Sequence, residues 1–155
     1  MLRCYQMIGV PGSGKSTWIA QQDWAKDCVI VSTDEYVEQE ARRQGRTYSE
    51  VFDAYMPTAV KLMAEAVNVA REAGMDIIWD QTSTTLVSRR RKFRMLPDYE
   101  HIAVVFKTPE QDELARRLAH RPGKNIPDHV MCSMIEHFDW PTLDEGFSEI
   151  WHAQN

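Results

Sequence analysis

The residues best suited to chemistry lie near the N-terminus. Gly9-Val10-Pro11-Gly12-Ser13-Gly14-Lys15-Ser16-Thr17 satisfies the pattern GxxxxGK[ST] at every fixed position. That pattern serves to hold a run of phosphates. Its glycines let backbone N–H groups turn inward toward phosphate oxygens. Lys15 supplies a mobile cation to the β- and γ-phosphates, and the Ser16 hydroxyl is a hard oxygen ligand suited to Mg²⁺. A helix opening near Lys15 adds the positive end of its dipole. Gly9, Pro11, Gly12, Ser13, Gly14, Lys15, Ser16 and Thr17 are therefore expected to bind the nucleotide.

Two carboxylates and two arginines extend the set. Asp34 follows the apolar run 28–32, in Ser32-Thr33-Asp34-Glu35-Tyr36. It fits a general base that takes the proton of an acceptor hydroxyl. It also fits the N-cap of the helix that follows. Asp80 closes Asp76-Ile77-Ile78-Trp79-Asp80. It fits a carboxylate holding Mg²⁺, directly or through water, or an ordinary polar residue where a strand meets a loop. Arg117 and Arg121 stand four apart in RRLAHRPGKNIP, ahead of a Pro-Gly break. They fit a mobile arginine-bearing lid over a triphosphate, or a solvated basic helix end. Arg89 to Arg94 reads equally as a solvated face or as a wall for an anionic substrate. His120, His129 and His137 have no metal-ligand spacing. Trp18, Trp24, Trp140 and Trp151 read as packing residues.

Hydrophobic periodicity supplies the elements that must carry these groups. Strands are expected over 3–8, 28–32, 76–80 and 101–107. Helices are expected over 15–25, 34–44, 86–96, 110–120 and 127–138. A long helix over 48–73 should start with Ser49 as N-cap and stop at Gly74, with a kink or a break at Pro57. Residues 121–127 cannot be regular, and the remainder reads as a tail. Apolar strands alternating with helices indicate βαβ units and a parallel sheet covered on both faces. Ligands then bind at the carboxyl ends of the strands, which places Gly9, Ser32, Asp80 and Lys107 on one rim. The fold expected is an α/β three-layer P-loop NTPase fold with a parallel sheet of about four to five strands and a small helical lid.

Composition sets the outer bounds. The 155 residues, 43% hydrophobic and 26% charged, suit a single domain over 1–155, with a lid at about 116–127 and a C-terminal tail at about 140–155. A net charge of −5 argues against a general nucleic-acid coating protein. The basic residues nevertheless cluster, at Arg42, Arg43 and Arg46 among other places, so a local positive groove is possible. No apolar stretch reaches the roughly 20 residues of a bilayer span, and no signal-peptide pattern opens the chain. A cytoplasmic protein without a membrane partner is expected. Cys4, Cys28 and Cys132 lack any CxxC and read as thiols in a reducing compartment.

Taken together, GVPGSGKSTW, STDEY, IIWDQTS and RRLAHRPGKNIP resemble the 5′-kinase domain of bacteriophage polynucleotide kinase and its relatives, in order and spacing over roughly residues 3–138. The resemblance implies an ATP- and Mg²⁺-dependent kinase that phosphorylates the 5′-hydroxyl of DNA or RNA. It implies phosphate contacts at Lys15 and Ser16, the general base at Asp34, the strand-end aspartate at Asp80, and lid arginines at Arg117 and Arg121. The catalytic set would be Asp34, Lys15 and Arg121, and the metal set Ser16 and Asp80. Three departures stand out. The family's Arg three residues after the base, which grips the phosphate next to the acceptor sugar, is Val37 here. Gln81 replaces a Thr. No DxDGT signature is present, so 3′-phosphatase activity is not expected. The alternatives are a P-loop kinase of another hydroxyl (a nucleoside, a hydroxymethylated base in DNA, a small metabolite) and an NTPase or nucleotide-binding module.

Overall fold

A computed structural model describes residues 1–154; Asn155, the last residue of the expected tail, lies outside the described residues. The chain runs β1 (Arg3–Ile8), α1 (Lys15–Ala20), a 3₁₀ turn (Asp23–Asp27), β2 (Cys28–Val31), α2 (Asp34–Gln44) and α3 (Tyr48–Glu72). It continues through β3 (Asp76–Trp79), α4 (Leu86–Met95), β4 (Glu100–Phe106), α5 (Gln111–Ala119) and α6 (Asp128–Glu136). A second 3₁₀ turn (Leu143–Glu145) leads into β5 (Glu149–Ala153). The strands form one sheet in the order β2-β3-β1-β4-β5. Every pairing is parallel, with Cys4 opposite Ile77 on one side and His101 on the other.

Strict alternation along β1 and β3 divides the core into two layers. Cys4, Ile77 and Trp79 meet Met63, Val67 and Ala70 of α3 on one face. Tyr5, Met7 and Ile78 meet Ile19 of α1, Ala25 and Phe106 on the other. Apolar side chains on both faces explain why these strands read as continuous apolar runs. Each such side chain buried stabilises the fold by roughly 1.5–3 kcal/mol.

Several elements depart from the sequence reading. The first helix stops at Ala20, and the rest of the expected 15–25 stretch is irregular or 3₁₀. The long helix runs from Tyr48 to Glu72 without a break at Pro57. Pro57 and Asp53, one turn earlier, are both exposed, so the carbonyl that loses its helical partner is on the solvent side. Its N-cap is Thr47, not Ser49. The Thr47 side chain accepts from the Glu50 backbone N–H, and the Glu50 carboxylate accepts from the Thr47 N–H. The expected tail supplies β5, which pairs with β4 from Ile102 opposite Glu149 to Phe106 opposite Ala153. Trp151 packs beside Tyr5 and Trp24, whose centroids lie 5.6 and 6.1 Å away. Trp140, by contrast, is exposed and stacks on His152.

Candidate active site

Parallel strands bring their carboxyl ends to one edge, where the loops after β1, β2 and β3 meet. The loop after β1 leaves no room for side chains at its start. A Cβ on Gly9 would come within 2.5 Å of Ser13 Oγ and 2.9 Å of Phe106 Cβ. Gly9 N–H donates to the Thr82 carbonyl at 2.9 Å, which locks this loop to the one after β3. Gly14 caps α1 at φ 98°, a conformation that side chains with a Cβ rarely adopt. Such a bare, curled backbone is a cradle for phosphate oxygens.

Lys15 folds back over the cradle, and its Nζ donates to the Gly9 and Val10 carbonyls at 2.8 and 2.9 Å. Burial pulls its pKa down to about 8. Asp80 and Asp34 oppose the shift, and Arg121 adds to it. Ser16 Oγ donates to Asp80 Oδ2 at 2.9 Å. Burial raises the Asp80 pKa, against that hydrogen bond and the nearby Lys15. One hydroxyl and one carboxylate beside a phosphate cradle form a hard-oxygen set that fits Mg²⁺, which takes few protein ligands and completes its shell with phosphate and water.

Asp34 is the first residue of α2, and Thr33 is the N-cap. The Asp34 carboxylate is thus not used as a cap. It accepts a hydrogen bond from the Tyr48 hydroxyl at 2.6 Å. Burial and this bond hold the Tyr48 phenol far above its usual pKa, so Tyr48 stays a proton donor. Gln81, the departure after Asp80, accepts from Trp79 Nε1 at 2.9 Å and donates to Thr33 Oγ1 at 3.3 Å. It therefore ties the end of β3 to the start of α2. Thr85, from the same hydroxyl-rich loop, caps α4 by accepting from Ser88 N–H. Val37 is fully buried with Ala41, Val51 and Ala59 between α2 and α3. It does not line the cleft.

The two arginines expected of a lid have different surroundings. Arg117 donates to the Gly12 carbonyl at 3.0 Å and to Glu113 Oε1 at 2.9 Å. Arg121 is half-buried and lines the cleft, with no side-chain hydrogen bond or ion pair of that kind among the described residues. The irregular segment 121–127 is docked on the start of α3. Ser49 N–H donates to the Gly123 carbonyl at 3.0 Å, and Asn125 N–H donates to Ser49 Oγ at 2.8 Å. Lys124 sits 4.7 Å from the Tyr48 ring centroid and pairs with Glu38.

One cleft of about 1310 Å³ joins Lys15, Ser16, Asp34, Asp80, Arg117 and Arg121. Pro11, Gly12, Gly14 and Thr17 line it too, whereas Ser13 is buried beneath the loop. Arg89 of the α4 cluster is neither a solvated nor a substrate-facing residue. It is fully buried, pairs with Glu145 at 2.7 Å and donates to the Ser83 carbonyl at 3.0 Å. Sequence reasoning missed Tyr48 and Glu113 and read Ser49 only as a helix cap; all three line the cleft, as does Lys124 of the basic segment.

The chain is similar to several known proteins. The family model described as "AAA domain" matches residues 5–141. The bifunctional polynucleotide phosphatase/kinase of Schizosaccharomyces pombe is 26% identical over 149 residues, or 93% of this chain; the chain spans 31% of that relative's length. A chain of the Pnkp1/Rnl/Hen1 RNA repair complex superposes with a TM-score of 0.68 at 23% identity, covering 88% of this chain and 43% of its own. A sugar kinase from Janibacter sp. HTCC2649 superposes with a TM-score of 0.61 at 18% identity, covering 98% and 86%. These structures share the fold, a five-stranded parallel sheet flanked by helices.

Proposed function

The chain belongs to the AAA domain family, and from that premise we propose that it is an ATP-dependent kinase acting on the 5′-hydroxyl end of DNA or RNA. The observation that carries the reading is that Asp34 lies in the same cleft as Lys15 and the phosphate cradle. A kinase needs both halves, a donor site and a base for the acceptor. The S. pombe relative, named for polynucleotide phosphatase/kinase activity, supports the polynucleotide acceptor.

The steps follow from the side chains. The acceptor hydroxyl approaches Asp34, whose Oδ1 is engaged by Tyr48, and gives its proton to the carboxylate. The hydroxyl oxygen bonds to the γ-phosphorus as the bond from that phosphorus to the β–γ bridging oxygen breaks, and ADP leaves. Lys15 exchanges the Gly9 and Val10 carbonyls for phosphate oxygens. Arg121 supplies charge as the phosphoryl group transfers, and Arg117 braces the cradle through Gly12. Ser16 and Asp80 would hold Mg²⁺, which when bound contributes positive charge beside the phosphates. We read residues 116–127 as the lid of a single domain that excludes water from this step.

Labelled ATP and a 5′-hydroxyl oligonucleotide should yield labelled product. Incorporation no higher than that of Lys15→Ala would overturn the reading. A second reading is a kinase of a small hydroxylated metabolite or nucleoside. The burial of Val37 and the fold shared with a sugar kinase favour it. Acceptor-stimulated ADP release separates the two. Turnover unchanged in Asp34→Ala would instead favour a nucleotide-binding or NTPase module.

A further inference from the structure

A second concavity, of about 630 Å³, adjoins the main cleft, and Tyr48, Arg121 and Lys124 line both. Its far wall is Arg42 and Arg46, from the end of α2 and the turn that follows. The acid in its lining is Glu38, whose charge is matched by Lys124. Arg46 has a loose ion pair with Glu50, at 3.8 Å, and donates long hydrogen bonds to Gln44 Oε1 and the Glu50 carbonyl, at 3.3 and 3.4 Å. Arg42 makes no ion pair among the described residues and is exposed. In a chain of net charge −5, this is a concentrated positive surface beside the candidate base.

Distance gives this surface a meaning. Asp34, Glu38 and Arg42 repeat every fourth residue on one face of α2. Eight residues of helix separate Asp34 from Arg42 by about 12 Å. A small hydroxylated molecule held at Asp34 ends well short of Arg42. A strand with a phosphate on every nucleotide does not. Arg43, next in sequence, is turned away and forms a bidentate pair with Glu40 at 2.6 Å.

We propose that Arg42 and Arg46 form a remote phosphate subsite for the acceptor strand, so that longer acceptors are phosphorylated more efficiently than short ones. The proposal rests on the polynucleotide reading above and adds the part of the protein that would read strand length. Guanidinium groups suit it because their forked donors match phosphate oxygens. Each phosphate they engage releases counterions, which makes the gain salt-dependent.

The test compares kcat/KM for a 5′-hydroxyl dinucleotide with that for a 5′-hydroxyl oligonucleotide of about a dozen residues. Wild type should favour the longer strand by about tenfold or more, the scale of one or two charged contacts. In R42A/R46A that ratio should collapse toward one. The slope of log kcat/KM against log salt for the long strand should become shallower by about 1.4, for two phosphate contacts on a single strand. R43A removes a neighbouring positive charge outside the concavity and should keep the wild-type ratio. If R42A/R46A keeps the wild-type ratio and slope, the subsite is overturned. The same holds if wild type labels both acceptors equally well. If wild type labels neither, the polynucleotide reading itself fails, and the subsite fails with it.

Discussion

Lys15 carries its charge in a place that disfavours it. With its pKa lowered to about 8, the empty protein at that pH holds it about half neutral. Phosphate groups of bound ATP would favour the ammonium. Binding at pH 8 should therefore take up about half a proton, seen by calorimetry as a binding enthalpy that changes with the buffer's ionisation heat. Lys15→Met should abolish that dependence, and a buffer-independent enthalpy in wild type would refute it. The linkage to folding has the corresponding sign. The folded-state pKa lies below the unfolded value of 10.5, so between these pH values the unfolded chain binds more protons. Lys15 thus makes the empty fold gain stability as pH rises from about 8 to 10.5. Tyr48 makes a second prediction at this scale. Tyr48→Phe removes a short, charge-assisted hydrogen bond to Asp34. It should lower kcat by about tenfold, with little effect on the KM for ATP, in steady-state assays. Lys15 was legible from the spacing of the glycine-rich pattern, and Asp34 and Asp80 because each closely follows an apolar strand. Tyr48 was not, because its bond to Asp34 spans 14 positions and joins two different helices.

Among the elements, α3 shows most clearly how local signals compete. Pro57 should break a helix in isolation, at a cost of about 3 kcal/mol. The apolar stripe of Val51, Ala59, Met63, Val67 and Ala70 outweighs it by packing on α2 and the sheet. Pro57→Ala should thus stabilise the protein by about 2 kcal/mol, once the freer unfolded chain is allowed for. A rise in Tm of about 5 °C in a thermal melt would bear this out, and a fall would count against it. Ser49 is by residue type at least as good a cap as Thr47. The choice depends on Glu50, which lies three residues after Thr47 and completes a capping box there. That frees Ser49 to bind the segment 123–125, a tertiary role without any local mark. β5 was hidden for a related reason. Glu149-Ile150-Trp151-His152-Ala153 covers only part of one face at the sheet edge, so it lacks the continuous apolar run of the central strands.

For the molecule as a whole, the sheet order fixes which loops can meet. With β1 flanked by β3 and β4, the cradle lies between the loop that bears Asp80 and the segment leading to the lid. The contacts of Ser49 and Tyr48 with residues 123–125 join the lid to the helix that holds Asp34's partner. Nucleotide binding should then slow amide exchange in two separated stretches together, near 47–52 and near 117–125, in a hydrogen-exchange experiment. Slowing of the lid alone would show that the two are uncoupled. The parallel architecture was legible from the alternation of apolar strands and helices. The docking of residues 143–153 on the sheet was not, since it involves the buried pair of Arg89 and Glu145, 56 positions apart. That pair has a consequence for biosynthesis. The cradle at 9–17 leaves the ribosome early, but the loop it leans on is held by Arg89, whose counter-charge is translated 56 positions later. At about 5–20 residues per second, on the order of ten seconds pass in which a growing chain has its phosphate loop but not the brace behind it. Nascent chains should become competent for ATP only after Glu145 has emerged from the ribosome, which pulse-chase nucleotide crosslinking on stalled chains would check.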